Sequence, residues 1–110
     1  MLPKFAPVRQ QLTTDAIPEI AAHVAAQLQQ SPMLDPIRPG QRIAVGVGSR
    51  GIGCIRPVVT AVIDAIRARG AEPFLVPAMG SHGGGTADGQ RDVLCGYGLS
   101  PEELGAPIRS

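Results

Sequence analysis

An α/β fold, with helices flanking a parallel sheet, is predicted by three features of the sequence. Two short apolar runs, Arg42 to Val47 and Pro73 to Val76, are bounded by glycine and proline, as strands buried on both faces are. Between them Ile55, Val58, Val59, Val62, Ile63 and Ile66 recur at helical spacing. Each run is followed by a glycine-dense loop, Gly48 to Gly53 and Ala78 to Gly85. A strand, helix, strand unit of this kind is parallel and right-handed. Its two loops then open on one edge of the sheet, which is where ligands bind in open α/β folds.

Before this unit, Met1 to Leu12 contains Pro3 and Pro7 and is expected to be an extended arm, with a short strand around Phe5 to Val8. From Asp15, the spacing of Ile17, Ile20, Val24 and Leu28 predicts an amphipathic helix ending near Gln30, capped by Thr14 or Asp15 and with Pro18 in its first turn. His23 falls on the flank of its apolar stripe and is expected to be solvated. Ser31 to Gly40, with three prolines, is a connecting loop. In the central helix Pro57 suits the first turn, Gly70 suits the position past the end, and Arg67 and Arg69 complement the negative end of the dipole.

After the second strand, Thr86 is placed to cap a third helix with Val93, Leu94 and Tyr97 directed inward and Gly98 as its stop. Ser100-Pro101-Glu102-Glu103 has the form of a capping box, and Ala106 to Ser110 reads as the approach to another strand. Two strands make a thin sheet with open edges. Residues 1–110 are therefore expected to be the N-terminal portion of a larger domain.

The composition narrows the function. Aromatic residues make up 3% of the chain and the formal net charge is +1, with basic residues scattered, so nucleic-acid binding has little support. No apolar run approaches the length of a membrane span, and no signal pattern opens the chain; a cytoplasmic location is expected. Cys54 and Cys95 belong to no Cys-x-x-Cys pair and are expected to be free thiols. Cys95 falls among core positions, whereas Cys54, beside a glycine loop, is either inert or a reactive thiol.

The chemistry concentrates in the two loops. Gly46-Val47-Gly48-Ser49-Arg50-Gly51 satisfies Gly-x-Gly-x-x-Gly between a strand and a helix, which admits a dinucleotide reading. The acid expected at the end of the second strand is missing, because Pro77, Ala78 and Met79 stand there and Glu72 lies at the other end. Arg50 offers instead a planar fork that grips a carboxylate, with Ser49 beside it. His82, between Ser81 and three consecutive glycines, is the side chain suited to exchanging protons with whatever Arg50 holds. Three alternatives stay open for this second loop: a structural histidine bonded to loop carbonyls, a metal ligand, and a phosphate cradle at Gly83 to Gly85. Asp88 is explained by the helix start.

Val45 to Ile52 (Val-Gly-Val-Gly-Ser-Arg-Gly-Ile) together with Pro77 to Gln90 (Pro-Ala-Met-Gly-Ser-His-Gly-Gly-Gly-Thr-Ala-Asp-Gly-Gln) resembles the N-terminal domain of the lactate racemase family, the nickel-dependent α-hydroxy-acid racemases and their relatives. The resemblance spans the chain from about Asp15. It implies a Rossmann-like domain followed by a C-terminal domain across a cleft. It also implies a nickel pincer nucleotide that takes a hydride from the substrate carbon while a histidine takes the hydroxyl proton. On this resemblance His82 is the catalytic acid/base, Arg50 and Ser49 bind the substrate carboxylate, and Gly48, Ser81 and Gly83 are candidate cofactor contacts. The family carries Asp-x-Thr-Arg-Pro at the first loop and His-Arg-Pro at the second, where this chain has Val47-Gly48-Ser49-Arg50-Gly51 and His82-Gly83-Gly84. The substrate implied is thus a 2-hydroxy acid that need not be lactate. The second acid/base histidine and the cofactor's anchors would lie beyond Ser110, so this segment alone is expected to be inactive. A non-catalytic α/β module binding nucleotide or phosphate is the alternative.

Overall fold

A computed structural model describes residues 2–110. Two strands, β1 (Arg42–Val47) and β2 (Glu72–Pro77), pair in parallel from Arg42↔Glu72 to Val47↔Pro77. They are joined by α2 (Ile55–Ala68), so the expected strand, helix, strand unit is present. Helix α1 (Ile20–Gln30) precedes it; α3 (Ala87–Gly96) and the single turn α4 (Pro101–Leu104) follow. Ala106 to Ser110, expected as the approach to another strand, makes one parallel bridge, Leu75↔Ile108, in which the Leu75 N–H donates to Pro107 O and the Arg109 N–H donates to Leu75 O, both at 2.8 Å. The chain is therefore a mixed helix and strand structure on a small parallel sheet.

α2 forms where expected because Ile55, Val59, Ile63 and Ile66 fall on one face and all are buried. It stops at Gly70, whose φ of 75° lets its N–H reach Arg67 O while the Ala71 N–H reaches Ile66 O. α3 ends by the same device: the Gly98 N–H bonds Cys95 O and the Leu99 N–H bonds Leu94 O. Arg67 and Arg69 also tie neighbouring elements together. Arg67 Nη2 donates to Leu104 O at the end of α4, and Arg69 Nη1 donates to Leu34 O at the end of a 3-10 turn, Pro32–Leu34, both at 3.0 Å.

One apolar cluster joins Val47 and Leu75 of the strands to Val59 and Ile63 of α2, Leu94 of α3, and Leu99 and Ile108. Alternate strand residues point to opposite faces, so the helices cover the face that carries Leu75. The other face is open, which corrects the expectation of strands buried on both sides. Arg42, Ala44 and Gly46 are exposed there, and Phe74 is only half-buried. α1 does not cover that face, because it packs against α2. The guanidinium groups of Arg42 and Arg109 lie 5.4 and 5.5 Å from the centre of the Phe74 ring and shield it in place of a helix.

Three further expectations are corrected. α1 begins at Ile20 with Glu19 as its cap and no side-chain cap bond, rather than near Asp15. Pro18 disfavours helical backbone at the residue before it, so the helix starts after the proline and Ile17 stays exposed. The strand expected at Phe5 to Val8 does not form; no neighbouring strand pairs with it, and both residues are about nine-tenths exposed, Phe5 at 90% and Val8 at 88%. Tyr97 does not turn inward, being 40% exposed, whereas Leu94 is fully buried as expected and Cys95 packs against the core cluster.

Candidate functional site

The C-terminal ends of the strands bring the loops together. Beyond β2, the Ala78 N–H donates to Val47 O at 2.8 Å, extending the ladder by one bond and setting Gly48 to Gly53 beside Ala78 to Gly85. In the first loop the glycine pattern is only partly a matter of backbone need. A Cβ on Gly46 or Gly48 would meet nothing closer than 3.8 or 3.9 Å, which is ordinary contact, while Gly51 has a φ of 64° that a side chain would strain.

The second loop is built against α3. The His82 N–H donates to Met79 O at 3.2 Å, and Gly83, Gly84 and Gly85 run consecutively at φ of 61°, 67° and 66°. That run folds the chain back so that Gly83 rests directly on Gly89 in the first turn of α3. A Cβ placed on Gly83 would lie 2.4 Å from the Gly89 carbonyl carbon. Thr86 Oγ1 accepts the Gly89 N–H at 3.2 Å, which is the cap expected for α3. Gln90 Nε2 donates to Gly80 O at 2.7 Å and closes the loop from the other side. Thr86→Ala is expected to destabilise the fold by about 1 kcal/mol through loss of this cap, read as a lower urea midpoint at unchanged slope.

Between the loops sits a triangle of side chains. His82 Nδ1 is hydrogen-bonded to Ser49 Oγ, and His82 Nε2 accepts the Nε–H of Arg50 at 2.7 Å. A guanidinium only donates, so Nε2 must carry the lone pair and the ring proton resides on Nδ1. Nδ1–H then donates to Ser49 Oγ, and the serine hydroxyl proton is not used by His82. In this arrangement His82 does not activate Ser49 as a nucleophile. Ser49 is itself held from behind, because Tyr97 OH donates to Ser49 O at 2.6 Å.

An open depression of about 490 Å³ adjoins the triangle, lined by Gly48, Ser49, Arg50 and Ile52 from one loop and Met79 and Ser81 from the other. That volume suits a small metabolite. His82, Arg50 and Ser49 are thus brought together, and Gly48 and Ser81 border the same space. Gly83 is placed differently from the expectation: it is engaged against Gly89, on the side of α3. His23 is exposed on α1, as expected of a solvated flank. Asp88 lies in the first turn of α3, and Cys54 is a half-buried free thiol at the start of α2. Among the described residues no cluster of three or more His, Cys, Asp or Glu is placed to hold a metal ion.

Sequence reasoning missed Tyr97 and Gln90 as supports of the loops. Both donate to loop carbonyls that only the fold brings near, Ser49 O and Gly80 O, so no local signal marked them. No family model matches this sequence, and no curated protein or solved structure shows significant similarity to it.

Proposed function

We propose that this chain is the N-terminal part of a Rossmann-like domain in a cytoplasmic enzyme of the racemase or epimerase type, acting on a 2-hydroxy carboxylic acid. The observation that carries the reading is the contact of Arg50 and Ser49 with His82 across two loops at one sheet edge. Arg50 offers the Nε–Nη edge of its guanidinium to the substrate carboxylate, a geometry in which two parallel hydrogen bonds form. Ser49, with its hydroxyl proton unused by His82, donates to the same group. His82 Nε2 accepts the proton of the 2-hydroxyl as the C–O bond becomes a carbonyl, and returns it when the hydroxyl is restored.

Inversion at C2 also requires a group that accepts and returns the C2 hydride, which is the chemistry a nickel pincer nucleotide supplies when bound. The described residues hold no donor set that fits such a group, and in this reading its anchors belong to other parts of the polypeptide. What these residues carry is the proton and the carboxylate. The alternative of a non-catalytic module binding nucleotide or phosphate draws on one observation, the lack of a side-chain cap at the start of α2.

Arg50→Ala in the full-length protein is expected to raise the KM for the 2-hydroxy acid roughly 10- to 100-fold, as befits loss of a charged hydrogen bond. An unchanged KM would remove Arg50 from the substrate site. Calorimetric titration with nucleotides against 2-hydroxy acids separates the two readings.

A further inference from the structure

Both ring nitrogens of His82 are occupied, and they are occupied differently. Nδ1 is held by Ser49, whose backbone is in turn held by Tyr97, so that side of the ring is tied to the scaffold. Nε2, the only nitrogen left to exchange a proton with a ligand, is covered by Arg50 Nε–H. Arg50 is exposed, and among the described residues no carboxylate lies within 4.0 Å of its guanidinium. The cation is therefore bonded to a neutral imidazole, with no counter-charge beside it.

From this we propose that Arg50 is a specificity-determining latch: it masks the His82 lone pair until an anionic group takes the guanidinium. The inference rests on the reading of the site given above and adds a selection step to it. A carboxylate that takes the Nε–Nη edge of the guanidinium accepts two charge-assisted bonds, together stronger than the one bond to a neutral ring, and so displaces His82 Nε2 from the Nε–H of Arg50. An amide or ester of the same acid has no charge to offer and leaves the mask in place. Discrimination against neutral analogues then arises twice, once in binding and once in uncovering the base. The ligand class that unlatches the site is a small carboxylate, and its 2-hydroxyl is delivered to the nitrogen that Arg50 has just vacated.

The test uses diethylpyrocarbonate, which forms an N–C bond at the lone-pair nitrogen of imidazole and releases ethyl carbonate. Modification of His82 is followed by peptide mass spectrometry, with exposed His23 on α1 as the internal reference. In the wild-type protein His82 is expected to react at least about tenfold more slowly than His23, and Arg50→Ala is expected to raise the His82 to His23 ratio by about tenfold, the equivalent of one ion-assisted hydrogen bond. Formate, a carboxylate too small to cover the ring, should raise the ratio in the wild type and leave Arg50→Ala unchanged, while formamide should alter neither. Equal ratios in wild type and Arg50→Ala, or equal effects of formate and formamide, would overturn the latch. These outcomes are independent of turnover. Should 2-hydroxy acids prove not to be substrates while formate still unmasks His82, the proposed function fails and the latch stands.

Discussion

His82→Gln in the full-length protein is expected to slow conversion of one 2-hydroxy acid enantiomer to the other by roughly 10²- to 10⁴-fold, the usual contribution of a positioned acid/base group. Glutamine approaches histidine in reach and keeps a donor for Ser49 and an acceptor for Arg50, so the loops have no reason to rearrange. What it lacks is a nitrogen that takes and returns a proton. Affinity for the substrate should therefore stay within a few-fold, because the carboxylate is held by Arg50 and Ser49. Chiral chromatography measures the conversion and calorimetry the affinity. Wild-type turnover in this variant would sink the assignment of His82, and a parallel loss of affinity would make it a binding residue instead.

Gly89→Ala should destabilise the protein by on the order of 3 kcal/mol, the upper range for forcing atoms into a filled site. Helix propensity alone points the other way, since alanine in a helix interior is favoured over glycine by about 1 kcal/mol. Gly89 has no positive φ, so the penalty is one of contact: its Cβ would lie 1.9 Å from Gly83 O and 2.9 Å from Thr86 Oγ1. Backbone atoms of a left-handed run cannot retreat as a side-chain tip can. A fall in Tm of roughly 10–20 °C is expected for a domain of this size. Gly84→Ala is the control, because a Cβ there meets nothing within 4 Å and only its φ of 67° is unfavourable. It should cost about 1–2 kcal/mol. If Gly89→Ala were neutral or stabilising, the seating of the His82 loop on α3 would be wrong.

The parts of this fold legible in the sequence are those governed by local rules. Gly70 and Gly98 end helices as expected because a left-handed residue past the last turn has few alternatives to glycine, and Thr86 and Ser100 cap because their hydroxyls reach the N–H groups of Gly89 and Glu103. The pairing of the two loops follows from the parallel orientation of the strands in one strand, helix, strand unit, which puts both strand C-termini at one edge. Features that depend on distant partners were not legible. Nothing local distinguishes β1 buried on both faces from β1 with Ala44 and Gly46 open to solvent, since the difference lies in where α1 settles. Tyr97 reads as core by periodicity and is drawn outward by the carbonyl of Ser49, 48 positions earlier. The direction of the His82 proton is set by the atom of Arg50 that meets it, which no spacing encodes.

The single bridge between Leu75 and Ile108 has a kinetic consequence. β2 is flanked by β1 on one side and by residues 107–109 on the other, so Leu75 is the point where backbone segments distant in sequence converge. Each of these contacts closes a long stretch of chain, and such closures slow folding more than local helix formation does. The helices are expected to form early and the strands to dock late, with the sheet assembled in the rate-limiting step. In native-state hydrogen exchange, the Leu75 amide, bonded to Pro107 O and fully buried, should open only when the whole domain does, whereas amides of α1, which contributes no buried residue, should exchange by local opening.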